Sequence, residues 1–563
     1  MNRKQRRAAA KQHHASGPSR LQFAEEGRLH HEAGRLDQAE ALYLKALAGQ
    51  PDNAAALHLF AVLRLQQGHH PEAIELNKKA IAITPSLVTD LFQRGLGEHR
   101  AGRLQQAVRA YQQFLIFEPA HVGAHNNLGI ALRDLGRLAE AEARYREALR
   151  LRPDYPEVHS NLGVALCKLG RPAEAEASCR EALRLKDFPE AHYNLGIALR
   201  DLGRLAEAEA SYREALRLRP DHPEAHSNLG YSLLLAGRFE EGWKEQEWRW
   251  KSKLMRGGLR DFSVPLWSGE AIGERVILLH AEQGLGDTLQ FCRYVPLIAA
   301  GARTVLEVQG PLVGLLSGLP GIMEIVARGD RLPSFDLHCP LLSLPRAVGT
   351  TLDTIPCATS YLSANRMLAA DWRVRLAGLD GLRVGLVWAG EQRLEWAELA
   401  AIDRRRSITL DTMAPLGEVS GVTFISLQKG GPAAQTASPP RGMVLHDFTA
   451  DLHDFADTAA LIDGLDLVIS VDTAVAHLAG GLGKPVWLLN RFDTCWRWLL
   501  RRDDSPWYPT LRQFRQPKPG DWESVICAVR DALQRLAAGD RDQLRSRFVK
   551  MQRAEGGRGP SSG

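Results

Sequence analysis

Two stretches of the sequence bring together residue types that could do chemistry. In GLGDTLQF (Gly284–Phe291), Asp287 follows a glycine turn that opens a helix. A carboxylate there can take a proton from a hydroxyl within hydrogen-bond reach, or it can cap the helix. In DTAVAHLAGGLGKPVWLL (Asp472–Leu489), Asp472 ends an apolar run, and Thr473 and Ala474 open the next helix. The N–H groups of a helix start suit a phosphate. His477, on that helix, reads equally as a cleft residue or as a packed histidine. Basic side chains able to neutralise an anion are Lys429, just past Gln428, and Arg404 with Arg406 in DRRRS (Asp403–Ser407). A solvated basic turn is the other reading of those arginines.

Positioning these residues falls to short apolar runs that alternate with helices from about Arg275, the mark of a parallel α/β sheet. RVILLH (Arg275–His280), TVLEVQ (Thr304–Gln309) and FDLHCPLLSLP (Phe335–Pro345, a strand and its loop) form a first set. A link through about 351–380 leads to a second set: LRVGLVWAG (Leu382–Gly390), VTFISLQKG (Val422–Gly430), DLVISVD (Asp466–Asp472) and KPVWLLN (Lys484–Asn490). Two successive sheets imply two Rossmann-like halves facing across a cleft, with ligands outside the carboxyl ends of the strands. Nearly all the candidates above fall there.

The first part of the chain is built differently. Gly34, Gly68, Gly102, Gly136 and Gly170 recur every 34 residues; Gly203 follows after 33 and Gly237 after 34 more. Pro51, Pro85, Pro119, Pro153 and Pro220 keep the same beat. In the unit Ala124–Glu157, Leu128, Ala131, Leu132 and Leu135 give one helix an apolar face, and Ala141, Tyr145, Ala148 and Leu149 form the seam of a second. Gly136 makes the turn between them. Over about residues 21–242 this pattern resembles the tetratricopeptide family, which implies a superhelical α-solenoid with a concave protein-binding groove. Asn127, Asn161, Asn194 and Asn228 share one place, two residues before Gly129, Gly163, Gly196 and Gly230. A carboxamide donates and accepts, so such a row can hold an extended peptide backbone. Alternatively, asparagine merely fits this place in nearly identical repeats. The row resembles that of the eukaryotic protein O-GlcNAc transferase. Glu25, Leu59 and Arg94 occupy the place in the first three repeats. Beyond the repeats, Trp243, Trp248 and Trp250 should cap the last hairpin and dock it on the next domain.

Composition narrows the classes further. The 563 residues need more than one core. The net charge of +5 is partly owed to Arg3, Lys4, Arg6, Arg7 and Lys11, and gives no reason to invoke nucleic acid. No run approaches the roughly 18 apolar residues of a membrane span, and no apolar segment comes after the charged start. Seven scattered cysteines without a C-x-x-C pair read as buried thiols of a cytoplasmic protein.

The two motifs, their order and the closing stretch WRWLLRRDDSPWYPTLRQFRQPKPGDW (Trp496–Trp522) resemble heptosyltransferase-type glycosyltransferases of the GT-B fold, over about residues 243–535. The similarity is greatest to the bacterial branch with tetratricopeptide repeats in front. It implies an inverting transfer from a nucleotide-diphosphate sugar to a hydroxyl, with Asp287 as general base. Arg404, Arg406, Gln428, Lys429, Asp472, Thr473, Ala474 and His477 would lie on the donor side, and Asp472 would hold a sugar hydroxyl. No metal or other cofactor is expected, since the one D-x-D, Asp540–Asp542, sits in the C-terminal tail. The implied partner is a protein or peptide, flagellin in some relatives; a lipid- or polysaccharide-linked acceptor is the alternative. After Gly390 the chain departs from its relatives: EQRLEWAELAAI (Glu391–Ile402) replaces an Asn-Pro stretch beside the donor site. A catalytically degenerate scaffold therefore stands as the second reading. The expected segments are a basic flexible tail (1–20), the repeats (21–242), a first half with its junction (243–380), a second, donor-side half (381–535) and a flexible tail (536–563).

Overall fold

The computed structural model describes residues 20–252, 260–391 and 397–545. Residues 1–19 and 546–563 of the expected tails, and 392–396 of the altered loop, lie outside the described residues. The chain divides into two compact units, Met1–Ala198 and Leu199–Gly563.

In the first unit the 34-residue period is a succession of helical hairpins. Arg20–Glu32 pairs with Leu36–Gly49, Ala54–Gln66 with His70–Ile83, and Ser86–Arg100 with Leu104–Phe117. Val122–Asp134 pairs with Leu138–Leu151, and Pro156–Lys168 with Pro172–Leu185. This is the expected tetratricopeptide solenoid. Gly136 has φ +77°, and no atom lies within 4 Å of where its Cβ would be, so conformation rather than space demands glycine. Ala141, Tyr145 and Ala148 are fully buried in the seam.

The second unit begins inside the repeat array. It holds the helices Leu205–Leu218, Pro223–Leu235 and Phe239–Gln246. Leu234, Phe239 and Trp243 belong to the same apolar core as Phe291, Trp496 and Trp507. Trp243 donates from Nε1 to the Thr350 carbonyl at 3.0 Å and meets Trp496 edge-on at 5.3 Å. Trp248 stacks on His226 at 3.8 Å, and Trp250 lies under the Arg249 guanidinium. The division thus reflects the packing: the last hairpin buries its apolar face in the α/β core.

Two parallel sheets come next. Strands β1 (Val276–His280), β2 (Arg303–Val308), β3 (Ile322–Ala327) and β4 (Leu337–Pro340) are ordered β3-β2-β1-β4. Strands β5 (Leu382–Val387), β6 (Val422–Ser426), β7 (Leu445–Asp447), β8 (Leu467–Val471), β9 (Val486–Asn490) and β10 (Leu511–Arg515) are ordered β10-β9-β8-β5-β6-β7. Strands β1, β8 and β9 are buried along their whole length, which is why they read as continuous apolar runs. Strands β3, β7 and β10 are additions to those expected from sequence. The first two are edge strands with exposed residues, and β10 is written in polar residues, LRQFR. The helix Trp522–Ala537 closes the second sheet with Val525, Ile526, Val529, Leu533 and Leu536.

None of the seven cysteines is in a disulfide; Cys179, Cys292 and Cys339 are buried, but Cys167, Cys495 and Cys527 are half-buried and Cys357 is exposed, correcting the expectation of uniformly buried thiols. Its place in the irregular link 351–360, outside any strand or helix, leaves it uncovered.

Candidate functional site

The carboxyl ends of β1 and β8 meet through the helices attached to them. The helix Leu285–Phe291 packs on the helix Ala474–Gly481 so closely that a Cβ on Gly286 would lie 2.9 Å from His477 Cδ2 and 3.5 Å from Ala474 Cα. Gly286 is therefore what lets the two motifs touch.

Asp287 sits in the first turn of its helix. Its Oδ2 accepts from the Gly284 N–H at 3.0 Å, and its Oδ1 is ion-paired with Arg497. Arg497 also donates to Gln290 Oε1 at 2.5 Å and lies over the Trp496 ring. The carboxylate is thus both part of the helix cap and the partner of a cation from beyond β9. Its side chain remains 20% exposed, so a ligand can reach it.

On the other side of the contact, the half-buried Thr473 precedes the helix and pairs its hydroxyl with that of Ser470 at 3.1 Å. The Asp472 carbonyl accepts from Arg406 Nη1 at 2.8 Å, and its carboxylate lies 4.0 Å from His477 Nε2. His477 is the packed histidine: it is buried, its Nδ1 pairs with the Tyr508 hydroxyl at 2.8 Å, and its ring stacks on Trp498. Burial pulls its pKa down to about 3; Asp472 opposes this, while Arg497, Arg293 and Arg406 add to it. At neutral pH the ring is uncharged.

The other candidates divide by what they already hold. Arg406 reaches across Gly390 toward Asp472 and pairs with Asp403 at 2.5 Å. Arg404 is exposed, and its neighbour Arg405 pairs with Asp493 at 3.1 Å. The Gln428 carboxamide is consumed by backbone: Oε1 accepts from the N–H of Trp388 and Ala389, and Nε2 donates to the carbonyls of Ala389 and Lys429. Gln428 therefore fixes the ends of β5 and β6 to each other. Lys429 donates to the carbonyls of Thr449 and Leu452, both at 2.7 Å, and so ties down a neighbouring loop.

Sequence reasoning missed a second carboxylate beside the site. Glu282, two residues past β1, is 3% exposed and accepts from Arg249 Nη2 at 2.9 and 3.2 Å. Arg249 also bonds Glu247 and Ser343, which fastens the junction after the repeats to the ends of β1 and β4. Burial raises the Glu282 pKa to about 7 against the pull of Arg249. Arg497 and Arg491 were missed as well. WRW hinted at the first, but nothing local marked the second.

Three of the four asparagines of the repeats are bonded to the preceding repeat. A Cβ on Gly129 would lie 2.5 Å from the Tyr145 ring, so Asn127, about 200° round the same helix, points away from the hairpin partner. Asn161 Nδ2 donates to Asn126 Oδ1 at 2.9 Å, and Asn194 Nδ2 to Ser160 Oγ at 2.8 Å. Asn127 Oδ1 takes a long contact, 3.5 Å, from Asn126. In the second unit Asn228 Oδ1 accepts from Arg200 at 3.1 Å. The four are not equivalent.

The D-x-D pair is local structure, with Asp540 capping the short helix Arg541–Leu544. Among the described residues no three His, Cys, Asp or Glu side chains converge as metal ligands, and no helix is long and apolar enough to cross a membrane.

Among known protein families, tetratricopeptide-repeat models match residues 24–86, 156–187 and 193–242, and a TPR-repeat model matches 129–170. Protein FlbA of Caulobacter vibrioides is 28% identical over 330 residues, 53% of this chain and 53% of that protein. The chain thus spans about half the length of that curated relative. Among solved structures, MamA is 21% identical, with 32% of this chain and 100% of that one covered and a TM-score of 0.27. YrrB, a TPR protein with an unusual peptide-binding site, is 21% identical, with 31% and 90% covered and a TM-score of 0.26. The amino-terminal part of the chain is a run of tetratricopeptide repeats, and an α/β domain of parallel sheets succeeds it.

Proposed function

We propose that the chain is a glycosyltransferase that moves a sugar from a nucleotide-diphosphate donor to a hydroxyl on a protein recruited by the repeats. The observation that carries this reading is the meeting of two loops from separate parallel sheets, Gly284–Asp287 and Asp472–Ala474, across Gly286. Asp287 takes the acceptor proton once substrate exchanges its contact with Arg497. Asp472 holds a donor hydroxyl. Arg406 and the helix start at Thr473 meet the charge of the leaving diphosphate without a metal. Gln428 and Lys429 shape the floor of the donor side. In the repeats, Asn161 and Asn194 keep Oδ1 as an acceptor for peptide N–H groups.

The test is turnover against a panel of nucleotide sugars. Asp287→Asn should fold and bind nucleotide, while kcat falls by about 10² or more. An unchanged kcat sinks the assignment. The scaffold reading has one observation in its favour: Lys429, a candidate for the diphosphate, already spends its ammonium on two carbonyls. It predicts that no nucleotide raises the stability of the folded protein.

A further inference from the structure

Arg491 lies just past β9 and is 7% exposed. Its Nε lies 3.4 Å from Asp493 Oδ1, yet among the described residues neither Nε nor Nη1 has a hydrogen-bond partner. An arginine taken out of water with donors unmade is costly, and the cost is recovered only when something anionic meets them. The pairing of β8 with β9 ends with Val471 opposite Leu489. Just beyond those ends, Arg491 comes within electrostatic reach of Asp472, the residue before Thr473. The helix Ala474–Gly481 starts there, and its first N–H groups have no intrahelical acceptor. Arg406 approaches the same place, bonded to the Asp472 carbonyl, and its own Nε is also buried without a partner. The nearby carboxylates offset the charge in part without accepting a hydrogen bond from Arg491 Nε or Nη1: Asp493 is shared between Arg405 and Arg491, Asp472 and the Tyr231 hydroxyl act on Arg491 at longer range, and Asp403 faces Arg406.

We propose that Arg491 is the second arginine of an anion site at the carboxyl edge of β8 and β9. It shares that site with Arg406 and the helix start at Thr473–Val475, and the ligand is a diphosphate. The identity of the anion rests on the donor reading above; the site itself rests on the orphaned guanidinium donors. Two guanidinium groups and a row of N–H groups suit a doubly charged pair of phosphoryl groups better than a carboxylate. Arg491 acts here by binding, and takes no part in proton transfer.

The experiment is calorimetric titration of the full chain with inorganic pyrophosphate at low and high salt. Wild type should bind, more weakly as salt rises. Arg491→Gln should bind about 10-fold or more weakly. Arg373→Gln, which removes the same charge from a distant surface pair with Asp463, should bind as wild type does. If Arg491→Gln does not fold, Ala474→Pro decides the matter. Proline fits the first position of a helix and deletes one N–H donor there; a loss of affinity supports the site. Absence of pyrophosphate binding by wild type overturns the proposal, as does undiminished binding by folded Arg491→Gln or by Ala474→Pro. Arg491-dependent pyrophosphate binding without turnover of any nucleotide sugar leaves the site standing and defeats the transferase reading alone.

Discussion

Replacing Glu282 by glutamine isolates one titration inside the second unit. Burial is the main cause that raises this carboxyl from 4.5 to about 7; Arg249 opposes it, and Glu247 and Asp287 reinforce it. In the unfolded chain the group loses its proton near its ordinary value. Between pH 4.5 and 7 the folded protein therefore holds a proton that the unfolded chain has released. The stability this contributes is complete below pH 4.5, declines through the window and is gone above pH 7. At about 1.4 kcal/mol per pH unit the loss is roughly 3 kcal/mol. All twelve tryptophans lie at or beyond position 243, so intrinsic fluorescence follows the second unit alone. Urea melts by fluorescence from about pH 4.5 to 8 should show wild type losing about that much relative to Glu282→Gln, with the difference level above about pH 7.5. Parallel curves for the two proteins, or a wild type that gains on the variant as pH rises, would refute the reasoning. Arg249→Met should extend the decline to higher pH, because it removes the charge that restrains the shift.

Two further outcomes arise from the packing. Gly286→Ala forces a methyl against the His477 ring and should destabilise the second unit by about 1–3 kcal/mol, read by the same fluorescence melts; a cost near zero would mean that the two motif helices do not approach as described. Replacing Asn161 and Asn194 together by alanine removes two bonds to neighbouring repeats, each worth about 0.5–1.5 kcal/mol, and should lower the melting temperature of the repeat array while raising KM for a protein acceptor. A lower melting temperature with an unaltered KM would assign these asparagines to stacking alone.

What the sequence made legible is what local physics dictates. Turn glycines at a fixed period force a left-handed backbone residue, so Gly136 announces its hairpin without any tertiary knowledge. Buried central strands such as β8 and β9 show themselves as unbroken apolar runs. Edge strands with side chains facing water do not, and β3 and β7 went unread for that reason, whereas the buried edge strand β4 was read. Asp287 could be named from its glycine turn, but not its tie to Arg497, 210 residues later. Gln428 shows the opposite failure. Its position past a strand end suggested a ligand contact, whereas the fold spends every hydrogen-bonding atom of its carboxamide on backbone. Arg491 lies in no pattern, and only the pairing of β8 with β9 brings it within reach of Asp472.

The boundary at Ala198, inside the repeat array, has a consequence for how the protein can change length. Residues 199–246 carry the apolar face that the α/β core requires, through Leu234, Phe239 and Trp243. Losing them would strip that core. Upstream of the boundary the 34-residue units each repeat the same turn glycine and helix pair. The stretches Ile130–Asp154 and Ile197–Asp221 differ at a single residue, Arg144 against Ser211. Such near-identity favours unequal exchange between gene copies. Insertion or loss of a unit there would lengthen or shorten the repeat array without removing any residue that contacts Asp287 or Arg497.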